Sequence, residues 1–198
     1  MHDESVLKLA TRHARWHNHV NHVQAPPEMR HWLTNRGSLT AKLIAHSSQF
    51  RVQRVVQQIG LCWADEFMQI GLNKPGKVHA REVLLRCDEK PVVFAHTVLP
   101  LSSTASQWPL FRTLGNKSLG STLFGDPLVL RGRMQYARLR DNHPAVQRAQ
   151  RLTGNELDRQ TFDQPWFARR SLFFRQGGVM LVTELFLPTI MQLTTGLK

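Results

Sequence analysis

The stretch V-M-L-V-T-E-L-F-L-P, residues 179–188, decides the fold of this chain. Side chains alternate across a strand, so Val179, Leu181, Thr183, Leu185 and Leu187 share one face and Met180, Val182, Glu184 and Phe186 the other. Both faces are apolar, as in a strand covered on both sides. Glu184 is therefore expected to be buried whichever way the strand turns. A buried carboxylate must be neutralised, paired or used. No other acid of the chain stands in such surroundings, which makes Glu184 the leading functional candidate.

Working outward, residues 166–175 and the Gln176-Gly177-Gly178 turn make this strand the second arm of a hairpin. A second hairpin has arms at 79–87 and 91–99 with Asp88-Glu89-Lys90 between them. In its first arm Arg81, Val83, Leu85 and Cys87 share one face, with Glu82, Leu84 and Arg86 on the more polar one. An arginine among core residues needs an anionic partner, either a side chain or a ligand. Residues 50–60 and 129–139 read as further strands, the first with a bulge. Short helices are expected at 27–33, opened by Pro27 and stopped by Gly37, and at 39–46 behind Ser38 as N-cap. This pair reads as an αα-hairpin, since its second helix offers only Lys42 and His46 for reading DNA. Residues 4–23 read as a polar helix carrying His13, His17, His19 and His22. His13 and His17 are spaced to share a metal, but no H-E-x-x-H pattern or ligating carboxylate joins them, so a solvated extension covering residues 1–25 is expected. Residues 141–165 are a polar excursion with some helix. The order of elements specifies α+β: a single domain with an antiparallel β-sheet flanked by short helices.

The 198 residues suit one domain with a sizeable core, and 41% hydrophobic residues mark a folded chain. Cys62 and Cys87 lack any C-x-x-C partner and read as buried thiols. No apolar run approaches the roughly 20 residues of a membrane span. The first residues, Met1-His2-Asp3-Glu4-Ser5, are too polar for a secretory signal, so a cytoplasmic protein is expected. The net charge of +12 favours an anionic partner. The basic residues are dispersed, however, and no RNA-binding or zinc-finger pattern accompanies them, so nucleic acid is not the expected partner.

Phosphate-binding glycine loops, a nucleophile elbow and a metal-ligand quartet are all missing from the sequence. What remains is an inward Arg81, an inward Glu184 and a glycine-flanked turn around Leu119 whose free N–H groups suit a carboxylate. Without further information, the first two read more readily as a structural Arg81–Glu184 salt bridge than as a ligand site.

Four segments carry a resemblance: R-E-V-L-L-R-C-D-E-K-P from Arg81, H-T-V-L-P from His96, L-G-N-K-S-L-G-S-T-L-F from Leu114, and R-R-S-L-F-F-R-Q-G-G-V-M-L-V-T-E-L-F-L-P from Arg169. In content and order they resemble the chorismate pyruvate-lyases, which form 4-hydroxybenzoate in the first committed step of ubiquinone synthesis. The resemblance implies a site closed by helical flaps and a reaction that uses no metal and no organic cofactor. It implies that Arg81 binds the ring carboxylate of chorismate, that the Leu119 N–H supports the same carboxylate, and that Glu184 faces the ring hydroxyl. Leu39 falls where the family has a pocket-lining methionine. His96 replaces an arginine common in the family, so a second basic contact near the ligand would be weaker or pH-dependent. A monomer is the family expectation, and the positive charge suits steering of the dianion and a weak contact with anionic membrane. The competing class is a non-catalytic small-molecule-sensing domain like the effector domains of transcription regulators. Those carry a separate DNA-binding domain, whereas the 80 residues before the matching blocks read here as flap and sheet.

Overall fold

The structure, a computed structural model, describes residues 14–103, 105–109, 111–157 and 164–193. Six strands, β1 (Phe50–Leu61), β2 (Lys77–Cys87), β3 (Lys90–Pro100), β4 (Leu130–Leu139), β5 (Trp166–Arg175) and β6 (Gly178–Phe186), form one antiparallel sheet in the order β1-β2-β3-β6-β5-β4. Both expected hairpins are present. Asp88 and Glu89 take φ of 48° and 65°, and Gln176 and Gly177 take 48° and 78°. Two consecutive left-handed residues give a reversal whose twist suits the flanking strands. Lys90, expected in the turn, already belongs to β3. The bulge in β1 falls between Arg54 and Val56.

Among the described residues four helices accompany the sheet: α1 (Pro27–Leu33), α2 (Leu39–Ala45), α3 (Leu119–Gly125) and α4 (Pro144–Thr153). Proline at the first position starts α1 and α4, where its missing N–H costs nothing. Ser38 caps α2 by accepting from the Ala41 N–H. The expected N-terminal helix is corrected in part. Its residues up to His13 lie outside the described residues, 14–19 are not helical, and Val20–Val23 form a single 3-10 turn. The reason is pairing: His17 and Tyr136 exchange two backbone hydrogen bonds of 2.8 Å, so this segment extends the β4 edge.

Registers turn the sheet into bands. On the front face Leu85, Val93, Phe186 and Phe167 lie side by side and pack under Met29 and Leu33 of α1 and Leu43 of α2. At the other end Leu99, Met180 and Phe173 pack with Trp108, Phe111 and Leu123. Between these cores run two rows, Val83–Ala95–Glu184–Arg169 and Arg81–Thr97–Val182–Ser171. On the back face α4 covers Leu84, Phe94, Leu185 and Ala168 with Ala145, Val146 and Ala149. The excursion, as far as it is described, thus covers the back of the sheet.

The back face also has a polar row, Glu82–His96–Thr183–Arg170. Glu82 and Arg86 do point to the polar side, yet neither faces water: Glu82 pairs with Arg148 at 2.6 Å and Arg86 with Glu156 at 2.6 Å. His96 is corrected as well, because it points away from Arg81 and Glu184. Its ring stacks on Trp63 at 3.7 Å and lies between Glu66 at 3.4 Å and Glu82 at 3.5 Å. Burial alone would lower its pKa, but the two carboxylates outweigh burial and raise it from 6.5 to about 9. A raised folded-state pKa stabilises the fold fully below the unfolded value, and that contribution is lost as pH rises through the folded one. The melting-temperature advantage of the parent over His96→Gln should therefore be greatest below pH 6.5 and shrink by several degrees by about pH 9, at about 2–4 °C per kcal/mol for this chain length. Thermal melts across that range check it; a constant difference would contradict the assignment.

Candidate active site

The two uncovered rows of the front face form the floor of a cavity of about 620 Å³, mouth included. Its roof is made by α2 and α3, which meet edge to edge: Thr40 Oγ1 lies 2.5 Å from Ser118 Oγ just ahead of α3. A Cβ on Gly120 would sit 3.0 Å from Thr40 Oγ1 and 3.3 Å from Ser38 Oγ, so glycine lets the two helices approach this closely. The four residues singled out from the sequence, Leu39, Arg81, Leu119 and Glu184, all line this one chamber. Leu119 is the first residue of α3, where the backbone N–H has no acceptor within the helix.

Arg81 projects from β2 with 2% exposure. Its Nη2 donates to the carbonyls of Gly115 at 3.1 Å and Lys117 at 2.8 Å, tying the sheet to the loop before α3. Gly115 takes φ +52°, a left-handed conformation that glycine adopts without strain. Arg81 Nε is buried without a hydrogen-bond partner, and no carboxylate among the described residues pairs with the guanidinium. Burial, reinforced by the charge of Arg54, brings its pKa down from 12.5 to about 10. It remains a cation at neutral pH, desolvated and short of an anion.

Glu184 does not bridge to Arg81. Two strand spacings and one two-residue step separate them, roughly 12 Å between Cα atoms by standard strand dimensions. The carboxylate is bound by Arg169, its direct neighbour across the β5–β6 hairpin, with Nε to Oε2 at 2.5 Å. Arg169 Nη1 donates to the carbonyls of Trp32, Leu33 and Asn35 at 3.3, 3.2 and 2.7 Å, closing the C-terminal end of α1. The Glu184 side chain keeps 15% exposure, on the chamber side. The carboxylate that had to be neutralised, paired or used is therefore paired.

Arg169 was not singled out from the sequence, although a signal for it exists. With the turn at Gln176-Gly177, Arg175 faces Gly178, and counting back places Arg169 opposite Glu184. Arg131 of β4 also lines the chamber and was missed. Its inward tilt comes from a register shift between Arg131 and Met134, which a single sequence does not reveal.

Residues 10–195 match the sequence profile of the family described as chorismate lyase. A protein of Cupriavidus metallidurans named a probable chorismate pyruvate-lyase is 45% identical over 179 residues, 90% of this chain and 82% of that one. A protein of the same name from Nitrosomonas europaea is 39% identical over 176 residues, 88% and 95% of the two chains. Among solved structures, the effector domain of PhnF from Mycobacterium smegmatis superposes with a TM-score of 0.51 at 20% identity, covering 78% of this chain and 90% of that one. A PhnF C-terminal domain gives 0.52 at 15% identity, covering 74% and 87%. These two likenesses concern the fold alone.

Because Arg169 holds both Glu184 and the end of α1, removing it leaves a carboxylate unpaired in the floor. Arg169→Met should destabilise the protein by about 3–5 kcal/mol. Urea unfolding checks this; a loss under about 1 kcal/mol, the worth of a surface pair, would refute the structural role.

Proposed function

The chain belongs to the chorismate lyase family, a lyase converting chorismate to 4-hydroxybenzoate and pyruvate, and we propose that the chamber on the front of its sheet is where this cleavage takes place. The observation that carries the reading is Arg81, a buried guanidinium that lines the chamber with no carboxylate partner among the described residues. In the proposed pose Arg81 receives the ring carboxylate and the Leu119 N–H supports it. Glu184 accepts from the ring hydroxyl at the far end, and Leu39 covers the ring from the roof. The separation of Arg81 from Glu184 suits one ring lying between them.

The chemistry asks for placement above all. The hydrogen on the hydroxyl-bearing ring carbon moves to the methylene carbon of the enolpyruvyl group as the ether bond breaks. The ether electrons become the carbonyl bond of pyruvate, and the electrons of the broken C–H bond complete the aromatic ring. All atoms are accounted for by the two products. Since aromatisation drives the reaction, holding the enolpyruvyl arm over the ring supplies much of the acceleration. Glu184, fixed by Arg169, anchors the hydroxyl and so sets which ring carbon faces the methylene. We propose further that the protein acts as a cytoplasmic monomer without metal or organic cofactor, that its product feeds ubiquinone synthesis, and that its positive charge steers the dianion inward and favours weak contact with anionic membrane.

Incubation of the purified protein with chorismate in a chelator should yield 4-hydroxybenzoate and pyruvate in equal amounts. Absence of product, or product only after a metal is added, would overturn the reading. Arg81→Met should lower kcat/KM by about 100-fold or more through loss of a charged hydrogen-bond donor. Glu184→Gln should lower kcat more than it raises KM; a parental rate in either variant would remove that residue from the site.

A further inference from the structure

Chorismate carries two carboxylates, and the pose above accounts for one. The groups lining the chamber include three guanidiniums, Arg81, Arg131 and Arg169, against a single carboxylate, Glu184, a net of two positive charges. Arg169 is committed to Glu184 and to three carbonyls. Arg131 is not committed in this way. Its Nε donates to Ser171 Oγ at 3.1 Å and its Nη1 to the Arg36 carbonyl at 3.0 Å, both neutral acceptors. Among the described residues it has no ion-paired carboxylate, and no acceptor takes its Nη2. The guanidinium lies against two aromatic rings, 5.7 Å from the Phe124 centroid and 5.5 Å from that of Phe173. Both rings present a face to the cation and favour its charge at this position.

The position of Arg131 is as informative as its charge. It pairs with Phe173, one step beyond the cavity rows, and leans back to Ser171. Ser171 faces Val182, and that row runs on through Thr97 to Arg81. Arg81 and Arg131 therefore stand at opposite ends of one stretch of floor, with Glu184 in the adjoining row between them. A ligand spanning the two would be a small dicarboxylate with its hydroxyl toward Glu184.

We propose that Arg131, with Ser171 beside it, receives the enolpyruvyl carboxylate of chorismate and thereby distinguishes the dianionic substrate from the monoanionic aromatic product. The assignment rests on the reading of the chamber as the chorismate site. It makes Arg131 a positioning group: by holding the arm's carboxylate it brings the methylene carbon over the ring hydrogen it must accept. After cleavage that carboxylate leaves with pyruvate, and 4-hydroxybenzoate keeps only the interactions around Arg81, Leu119 and Glu184.

The test separates the two carboxylates. In Arg131→Gln, kcat/KM for chorismate should fall about 100-fold, the scale of one charged hydrogen-bonded contact, while the Kd for 4-hydroxybenzoate, by calorimetry, stays within about threefold. Arg131→Lys should recover at least about tenfold of the loss, because it restores charge without the fork. Arg81→Met should weaken both substrate turnover and product binding. Unchanged turnover in Arg131→Gln would overturn the proposal. So would loss of product binding as large as the loss of turnover, which would mean a collapsed chamber or a contact with the ring carboxylate. If Arg131→Gln fails to fold, the same comparison in Arg131→Lys and Ser171→Ala decides: product binding must be spared more than turnover. Failure of the parent protein to turn over chorismate would instead refute the underlying reading.

Discussion

Arg169 lies in the floor of the chamber with 1% of its surface exposed, and a guanidinium so placed must find acceptors inside the protein. It finds four oxygens: one of Glu184 and the carbonyls of Trp32, Leu33 and Asn35. The carbonyls lie at and just beyond the C-terminal end of α1, where a helix leaves its last acceptors free and carries partial negative charge. One side chain thus fixes the carboxylate of the floor and the helix that begins the front cover. The apolar packing of Met29 and Leu33 could form with α1 slightly rotated; the hydrogen bonds to Arg169 specify a single docking.

The charge arrangement follows. Were Glu184 unpaired, it would have to be satisfied by another guanidinium of the chamber, and Arg131, whose charge already interacts with it, would be drawn toward it. With Arg169 as the neighbouring strand's partner, Glu184 is satisfied locally and Arg81 is left to backbone carbonyls alone. A cation held by neutral acceptors at low exposure is electrostatically unsatisfied, since carbonyl dipoles replace water only in part. Arg81 and Arg131 share this condition, and on the proposed reading both are answered by the two carboxylates of the substrate. The same burial that costs stability in the free protein makes those contacts stronger when the dianion enters, because the local dielectric is low.

The architecture was legible from short-range rules. Alternation at 179–188 and the turn residues at 88–89 and 176–177 specify two hairpins, and Pro27 and Ser38 mark helix starts. Alternation also put Arg81 and Glu184 on definite faces. It could not say that those faces coincide, which depends on β3 pairing with β6 across more than 80 residues of chain. The relation between the two became visible through motifs shared with a family and not through periodicity. Arg169 was within reach of hairpin register alone. Arg131 and the back-facing His96 were not: one depends on a local irregularity of β4, the other on which side of β3 meets α4. The 14–19 segment misled because a polar stretch with helical spacing looks the same when its backbone pairs with a strand edge.

The sheet carries adjacent polar residues on successive strands: Arg81 and Glu82, His96 and Thr97, Thr183 and Glu184, Arg169 and Arg170. Alternation sends one of each pair to the front and the other to the back, so a polar belt crosses the sheet between apolar bands on both faces. The two sides of the belt are completed differently. On the back, Arg148 of α4 reaches Glu82, Glu66 approaches His96, and Arg170, which donates to the Asp65 carbonyl and Gln135 Oε1, lies in the field of the Asp65 and Glu66 carboxylates, so each charge has an opposite charge nearby. On the front, only Glu184 and Arg169 are matched in this way. A belt whose charges face opposite charges behind and are left without them at Arg81 and Arg131 in front gives a floor that is receptive where a ligand enters. That is the condition for catalysis by placement, because a floor that shifted to satisfy Arg81 and Arg131 internally would have to undo those contacts each time substrate arrived.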